Sequence, residues 1–576
     1  MEKWLRKIIC ITLAAVHLLT FCLRDVCFAK EQVSKESKSS VPSSHSQETN
    51  SSSTTPSQST QEEAPRPAAK VASAAPAGNI STPSSSFNLG VLQSFQTEPS
   101  TGRATFSVPI AVPPGRSGMQ PNIALAYASG NGNGFLGVGW SLELGSIERS
   151  TKKGIPKYDS SDTFIFNSGG SNAELVHIGD GQYRAKVEEA FLTFTFDGTY
   201  WLVKDKSGTT YQFGSTTTSR QRNFRWALDR VWDIRGNYLN IDYITDQDQL
   251  YPNTITYGGN TPSSFGHPYR VEFIWDSSPR LDTIYNGRPG FLVTTTKRLN
   301  NIVIRYQSEL VRRYHLTYAA SSSQRSLLTT ITQYGRDDTT SLPPVTFTYN
   351  SATPGWQTAT NYTFPTAAYF NAGSVFVDVN NDLFPDIIRR QYNGNGETNH
   401  SFLFNPFSLR WEETGTWRPN RVIWSYSGDQ GLRFGDVNGD SWIDYVAWIN
   451  VTPKEVYINN KVNGWDNNSN WQLPDDYAIS NHWADSGGAH SEPQGTAVLD
   501  IDGDCYSDYI VCRTDKHSIY INNKDGKWEH KSNWDMSEGN LLSDTQFADL
   551  TGDGLPDLIV ATAVYLNTGS GWQRQS

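Results

Sequence analysis

The residues best placed to do chemistry lie in the last two hundred positions, where one short acidic loop is written four times. The copies begin at Asp378, Asp436, Asp500 and Asp549. With that Asp as position 1, oxygen-bearing side chains fall at positions 1, 3, 5 and 9. They are Asp378, Asn380, Asp382 and Asp386, then Asp436, Asn438, Asp440 and Asp444. The third and fourth sets are Asp500, Asp502, Asp504 and Asp508, and Asp549, Thr551, Asp553 and Asp557. Hard cations such as calcium take roughly six to eight oxygens from the carboxylates and carbonyls of a tight loop. Carboxylates converging on one loop without a cation would repel, so the spacing predicts structural calcium bound by these side chains. The competing reading is four Asx-type turns leading into strands, with no metal.

Such loops need strands to hold them, and the sequence supplies these at matching offsets. An apolar strand precedes each loop, and an apolar pair or triplet follows at once: Ile387-Ile388, Tyr445-Val446, Tyr509-Ile510-Val511 and Leu558-Ile559-Val560. Each unit then ends in a tail with an Asn ahead of a Trp: Asn405/Trp411, Asn459/Trp465, Asn522/Trp528 and Asn567/Trp572. A fifth, headless tail runs from Phe347 and Asn350 to Trp356. The first Asp residues recur at intervals of 58, 64 and 49. A period near fifty with several strands per unit predicts a β-propeller blade array. Four units are few for a ring, so either the headless tail completes it or the preceding domain supplies strands. Trp411, Trp465 and Trp528 could stack on sugars, as in a glycan-binding propeller. A Trp at a fixed place in every unit is more simply a core residue between blades.

The loops are not equal. The first has Leu383 where Gly eases the sharp turn, and the fourth uses the neutral Thr551. The third, with four carboxylates, is expected to bind most tightly, and the first or fourth most weakly.

At 576 residues the chain has room for two or three domains. It holds 18 Trp, 27 Tyr and 26 Phe against 3 Met, a composition that favours strands. The net charge of −10 argues against a nucleic-acid partner, which needs a basic footprint. Residues 1–29 carry Lys3, Arg6 and Lys7 ahead of an apolar run from Ile8 to Leu23, then small residues at Cys27 and Ala29. That is the pattern of a secretory signal peptide and predicts a secreted, extracellular protein. No later stretch is suited to cross a bilayer as a helix, so no transmembrane span is expected after signal cleavage. Residues 30–85 are Ser, Thr, Gln, Ala and Pro, a composition expected to stay disordered as a linker. Only Cys505 and Cys512 lie outside the signal segment. The strand between them should hold them too far apart to bridge.

From Phe87 the chain turns to short alternating runs cut by Asp180-Gly181, Asp197-Gly198 and Ser207-Gly208, the idiom of antiparallel hairpins. Gly134-Phe-Leu-Gly-Val-Gly-Trp140 is followed by Gly154-Ile-Pro156-Lys-Tyr158-Asp159, Trp226-Ala-Leu-Asp229, Asp233-Ile-Arg-Gly236-Asn237, Arg280-Leu-Asp282 and Arg298-Leu299. In order and spacing these resemble the N-terminal domain of the Salmonella virulence plasmid B protein (SpvB) family, which also begins the B subunits of insecticidal toxin complexes. The resemblance covers roughly residues 86–350. Residues 351–576 resemble the FG-GAP/VCBS repeats of integrin-type propellers, whose acidic loops bind calcium. The resemblances imply an all-β chain: a β-rich SpvB-like domain, then a calcium-binding β-propeller.

No zinc helix of the His-Glu-x-x-His kind and no Gly-x-Ser-x-Gly elbow occurs. The enzymatic member of the SpvB family carries an ADP-ribosyltransferase with a Glu-x-Glu pair, and no such pair follows residue 220. The expectation is a non-enzymatic, virulence-associated protein. It would dock a protein partner such as a toxin-complex subunit or an Rhs-containing chain. A surface adhesin that binds host glycan is the rival expectation.

Overall fold

The computed structural model describes residues 96–97, 102–169, 171–350, 358–365, 373–392, 396–475, 478–485, 488–513, 515–538, 545–561 and 563–575. The expected signal peptide, the linker 30–85 and Trp356 lie outside the described residues. Among those described there is no α-helix, and the strands are overwhelmingly antiparallel. The all-β expectation holds.

The first domain contains a closed eight-stranded barrel. Its strands are Ser146–Arg149, Phe164–Ser168, Ser171–Gly179, Gln182–Ala185, Thr193–Phe196, Trp201–Lys204, Thr210–Phe213 and Arg225–Trp232. The last strand closes the ring by pairing with Thr210–Phe213 at one part and Ser146–Arg149 at another. Alternate residues point inward along each strand. Here they are Phe164, Phe166, Phe194, Trp201, Phe213 and Trp226, all buried in one cluster. Eight strands leave a bore that side chains can fill, so this barrel is a packed core and not a container.

The same sheet runs on as a meander through Asn237–Asp246, Gln249–Asn260, Tyr269–Trp275, Leu299–Tyr306, Glu309–Ala320 and Ser326–Tyr334. The motif at Asp233–Asn237 makes its first turn. Gly236 takes φ +76°, and Asp233 Oδ1 accepts the N–H groups of Arg235 and Asn237 at 2.8 and 2.9 Å. The Gly-rich run is held firmly: Leu136 is buried, and a Cβ on Gly137 would lie 2.5 Å from the Ser326 carbonyl oxygen. Arg280 and Asp282 form a buried pair at 2.7 Å, with Arg280 also donating to the Gly134 carbonyl at 2.7 Å. Burial pushes the Asp282 carboxyl up. Its bonds from Arg280, the Ser326 N–H and Asn133 outweigh that and hold it well below the usual range.

The headless tail belongs to this domain. Phe347 packs edge-on against Trp140 at 4.7 Å, and Trp140 Nε1 donates to the Tyr349 hydroxyl at 2.9 Å. The idea that this tail completes a ring of blades is thereby corrected for residues 347–350: their aromatic side chains are taken up by the first domain's core.

The second half consists of four antiparallel four-stranded units. Unit one uses Ser374–Val377, Asp386–Tyr392, Glu397–Asn405 and Arg410–Thr414, and unit two Leu432–Gly435, Asp444–Ala447, Glu455–Asn459 and Trp465–Asn467. Unit three uses Thr496–Leu499, Asp508–Cys512, His517–Asn522 and Trp528–His530, and unit four Thr545–Ala548, Asp557–Val560, Ala563–Asn567 and Trp572–Arg574. Successive units stack face to face. Val379 and Ile388 of unit one meet Tyr445 and Tyr457 of unit two, and Val437 and Val446 meet Tyr509 and Tyr520. Ile501 and Ile510 in turn meet Leu558 and Tyr565. Each fully buried Val or Ile contributes about 1.5–3 kcal/mol, so neighbouring units stabilise one another. Hairpins absent from the repeat pattern extend the sheet of unit one through Trp424–Asp429 to Ser480–Pro493.

Candidate metal centre

Each acidic loop sits between the first and second strands of its unit, and two left-handed residues fold it back on itself. Position 4 is Asn381, Gly439, Gly503 or Gly552, and position 6 is Leu383, Ser441, Cys505 or Gly554, all with φ between +61° and +85°. Leu383 is therefore not alone. Ser441 and Cys505 also stand where glycine is favoured, a cost the sequence reading assigned only to the first loop.

The side chains at positions 1, 3 and 5 turn inward and collect backbone N–H groups. Asp500 Oδ1 accepts from Gly503 and Asp504 at 2.8 and 3.0 Å, and its Oδ2 from Cys505 at 2.8 Å. Asp378, Asp436 and Asp549 repeat this pattern. Position 3 accepts the N–H of position 5 at Asn380, Asn438 and Asp502. Asp382, Asp440, Asp504 and Asp553 accept the N–H two residues on, each at 2.9 Å. These are Asx turns. In the third loop they also bring oxygens of Asp500, Asp502 and Asp504 within 4.8 Å of one another. Burial raises the Asp502 carboxyl, and the charges of Asp504 and then Asp500 raise it further. Three acceptor-only groups at that spacing form a donor set of the kind hard cations favour.

Position 9 has a different job. Oδ2 of Asp386, Asp444, Asp508 and Asp557 accepts the N–H of position 2 at 2.8–3.1 Å. Oδ1 accepts an N–H of the tail strand: Phe404, Asn459, Asn522 or Asn567, at 2.7–2.9 Å. All four side chains are fully buried. Burial pushes Asp386 up to about 8 and Asp444 and Asp557 to about 7, partly offset by those N–H groups. Asp508 is raised by burial and then by Asp502, Asp504 and Asp500. The sequence assigned position 9 to the cation; the structure shows that these carboxylates also tie the loop to the third strand.

The tails complete the unit. Asn459 Nδ2 donates to the Val379 carbonyl, Asn522 Nδ2 to Val437 and Asn567 Nδ2 to Ile501, at 2.9–3.0 Å. Every such bond reaches position 2 of the preceding unit's loop. Trp411, Trp465 and Trp528 donate Nε1 to position 8 of their own loop, at Pro385, Ile443 and Ser507. Trp465 and Trp528 are buried in the inter-unit cores, so the core reading describes them and they offer no face to a sugar.

Two lysines escaped the sequence reading. Lys461 lies 3.0 Å from Asp440, and Lys524 lies 2.7 Å from Asp504. Each stands two residues after the tail Asn, and that repeated Asn-x-Lys was the available signal. Cys512 is a buried thiol whose Sγ lies 3.9 Å from the Thr545 hydroxyl.

The fold thus defines a chain in which a barrel-bearing β domain is joined to an array of four acidic-loop repeats. Residues 98–262 match the family described as Salmonella virulence plasmid 65kDa B protein, and residues 500–560 match the FG-GAP-like repeat. Among curated relatives, the mono(ADP-ribosyl)transferase SpvB of Salmonella typhimurium is 24% identical across 28% of this chain and 36% of its own length. The match therefore spans about a third of that relative. Among solved structures, the Photorhabdus luminescens Tc holotoxin pore superposes with a TM-score of 0.56 at 17% identity. It covers 82% of this chain and 28% of the holotoxin chain. A TcdB2–TccC3 complex gives 0.50 at 18% identity, over 86% of this chain and 30% of its own. The expected family resemblance is borne out in both halves.

Proposed function

We propose that the chain is a secreted, non-enzymatic component of a toxin complex, docking a protein partner through a calcium-stabilised, propeller-like array. The observation that carries this reading is the fold likeness to the Tc holotoxin, which extends over 82% of the chain and so takes in both halves. The partner expected on this reading is a pore-forming subunit or an Rhs-containing chain. Asp500, Asp502, Asp504 and Asp508 would hold the tightest ion, and Asp378, Asn380, Asp382, Asp386, Asp436, Asn438, Asp440, Asp444, Asp549, Thr551, Asp553 and Asp557 the others. Calcium bound there would neutralise the loop carboxylates, while the chain's own position-9 residues fix the loops to their strands.

Affinity capture from the secreted proteins of the source organism tests the docking role. Recovery of a pore-forming or Rhs-containing chain, lost on chelation, is expected; recovery of host glycan alone would defeat it. Thermal melts test the metal. At free calcium near 100 times Kd, a single site stabilises by about 2.7 kcal/mol. Chelator should therefore lower the midpoint, and D500A with D504A should lower the midpoint in calcium and narrow the difference. An unchanged wild-type midpoint would sink the calcium assignment.

A further inference from the structure

The third and fourth acidic loops do not face solvent alone, because the first domain is seated on them. The Ile155 N–H donates to the Asp502 carbonyl at 3.3 Å, and the Ile155 side chain packs on the core shared by units three and four. Gly154, at φ +91°, lies so close to the third loop that a Cβ would stand 2.6 Å from Asp504 Cβ. On the fourth loop, the Gly287 N–H donates to Asp553 Oδ2 at 2.6 Å, and Arg288 Nε donates to the Asp553 carbonyl. These two first-domain segments support each other, since the Tyr158 hydroxyl donates to the Pro289 carbonyl. Arg149 stacks over the Tyr158 ring at 5.1 Å and pairs with Asp162, whose carboxylate accepts the N–H groups of Lys157 and Tyr158. The family motif at Gly154–Asp159 thereby acquires a role: it builds a rigid pad.

The repeats have been altered to receive that pad. In units two and three the residue two past the tail Asn is Lys461 or Lys524, which neutralises position 5 of its own loop. In unit four that residue is Gly569. A Cβ there would come within 2.2 Å of the Gly287 carbonyl oxygen and 2.8 Å of Gly290 Cα. The missing lysine makes room for the hairpin that carries Gly287, and Arg288 supplies the positive charge beside Asp553.

We propose that the joint between the two domains is a latch closed by divalent cation in the third and fourth loops. The inference rests on the calcium reading above. The pad meets the backbone of Asp502 and Asp504 and both the carbonyl and the carboxylate of Asp553, residues whose side-chain oxygens would be cation donors. A carboxylate oxygen has lone pairs for both an N–H and an ion, so the contacts are compatible with a bound cation. Without one, repulsion among Asp500, Asp502 and Asp504 opens the loop and displaces the backbone that Gly154 and Ile155 fit. Linkage is reciprocal: if the cation tightens the joint, the joint tightens the cation by the same factor.

The test is hydrogen exchange of the full chain with calcium and with chelator, joined to calcium titrations of wild type, R288A and G154V. Calcium should slow exchange at residues 152–158 and 286–290 on the order of tenfold. The variants should weaken calcium binding by a similar factor, within the usual range of allosteric coupling. R288A keeps the interpretation clear should G154V misfold. The latch is overturned if calcium raises the wild-type midpoint yet exchange in both segments is unchanged, or if R288A binds calcium within twofold of wild type. A wild-type midpoint indifferent to chelator removes the calcium reading itself, and the latch with it.

Discussion

The two halves bury carboxylates in opposite ways. In the first domain Asp282 is sunk beside Arg280, whose side chain is fully buried, and hydrogen bonds hold its proton affinity down. In the repeats Asp386, Asp444, Asp508 and Asp557 are sunk among backbone N–H groups and the loops' other carboxylates, and their proton affinity rises. The first arrangement carries its counter-charge in the chain and is self-sufficient. The second leaves negative charge concentrated in each loop, with Lys461 and Lys524 as partial compensation at the second and third and Arg288 beside the fourth. A domain of the first kind carries its own counter-charge, whereas in the second the proposed cation would supply it.

The largest expected effect tests the self-sufficient half. Replacing Arg280 by Met leaves Asp282 buried without its cation and strips a donor from Asn133 Oδ1 and the Gly134 carbonyl. Breaking one side of a buried pair costs about 3–5 kcal/mol. Urea denaturation of the full chain should show the first-domain transition shifted by that amount, and a loss below about 1 kcal/mol would refute the contrast.

Next comes pH, where the halves should move in opposite directions. Asp282 binds its proton more weakly when folded than at its ordinary value of 3.8. Its contribution is present above about pH 4 and is lost as the solution is acidified below that. Asp386 titrates near 8 and Asp444 and Asp557 near 7, all above that ordinary value. Their contribution is full below about pH 4 and is lost as pH rises through 7 to 8. In chelator, the midpoint of the array should therefore fall between about pH 5 and 8, by roughly 2–4 °C per kcal/mol lost. A flat midpoint would show that these protons are not held as the burial implies.

The joints between units give a smaller effect. Asn522 Nδ2 bonds both the Val437 carbonyl of unit two and the Ser507 carbonyl of its own loop. N522A takes this donor from the buried Val437 carbonyl, at a cost of about 1–3 kcal/mol, while Trp528 Nε1 still serves Ser507. If Asn522 ties units together, the variant should also split the array's transition into two; a single unshifted transition argues against the tie.

Much of this was legible in the residues, for reasons that differ by feature. The loops showed because a turn that aims several oxygens inward must repeat its polar residues at fixed offsets, whatever the fold around it. The buried role of Trp465 and Trp528 followed from their constant place in the unit. The backbone-tying part of position 9 was not legible because its partners, such as the Phe404 and Asn459 N–H groups, lie on a strand 15 to 18 residues away. An aspartate that staples backbone is spelled no differently from one that binds metal. Gly154, Ile155, Gly287 and Arg288 gave no local sign of contact with loops more than 250 residues on, since such pairings depend on how two domains dock.

The smallest expected effect sharpens the comparison within the array itself. Leu383 at φ +73°, Ser441 at +69° and Cys505 at +72° hold a conformation that glycine adopts freely and that costs other residues about 1–2 kcal/mol. Replacing Leu383 by Gly removes that strain, and the greater freedom of the unfolded chain returns about 0.5–1 kcal/mol of it. The net gain should be about 0.5–1 kcal/mol in chelator, seen as a midpoint raised by a few degrees. The control is G554L, which places a side chain at the equivalent position of the fourth loop and should destabilise. If L383G gains nothing while G554L loses nothing, position 6 is indifferent to side chain. The strain would then contribute nothing to the difference between the first loop and the others, leaving the missing lysine beside Asp382, where Phe407 stands 96% exposed, as the feature that sets it apart.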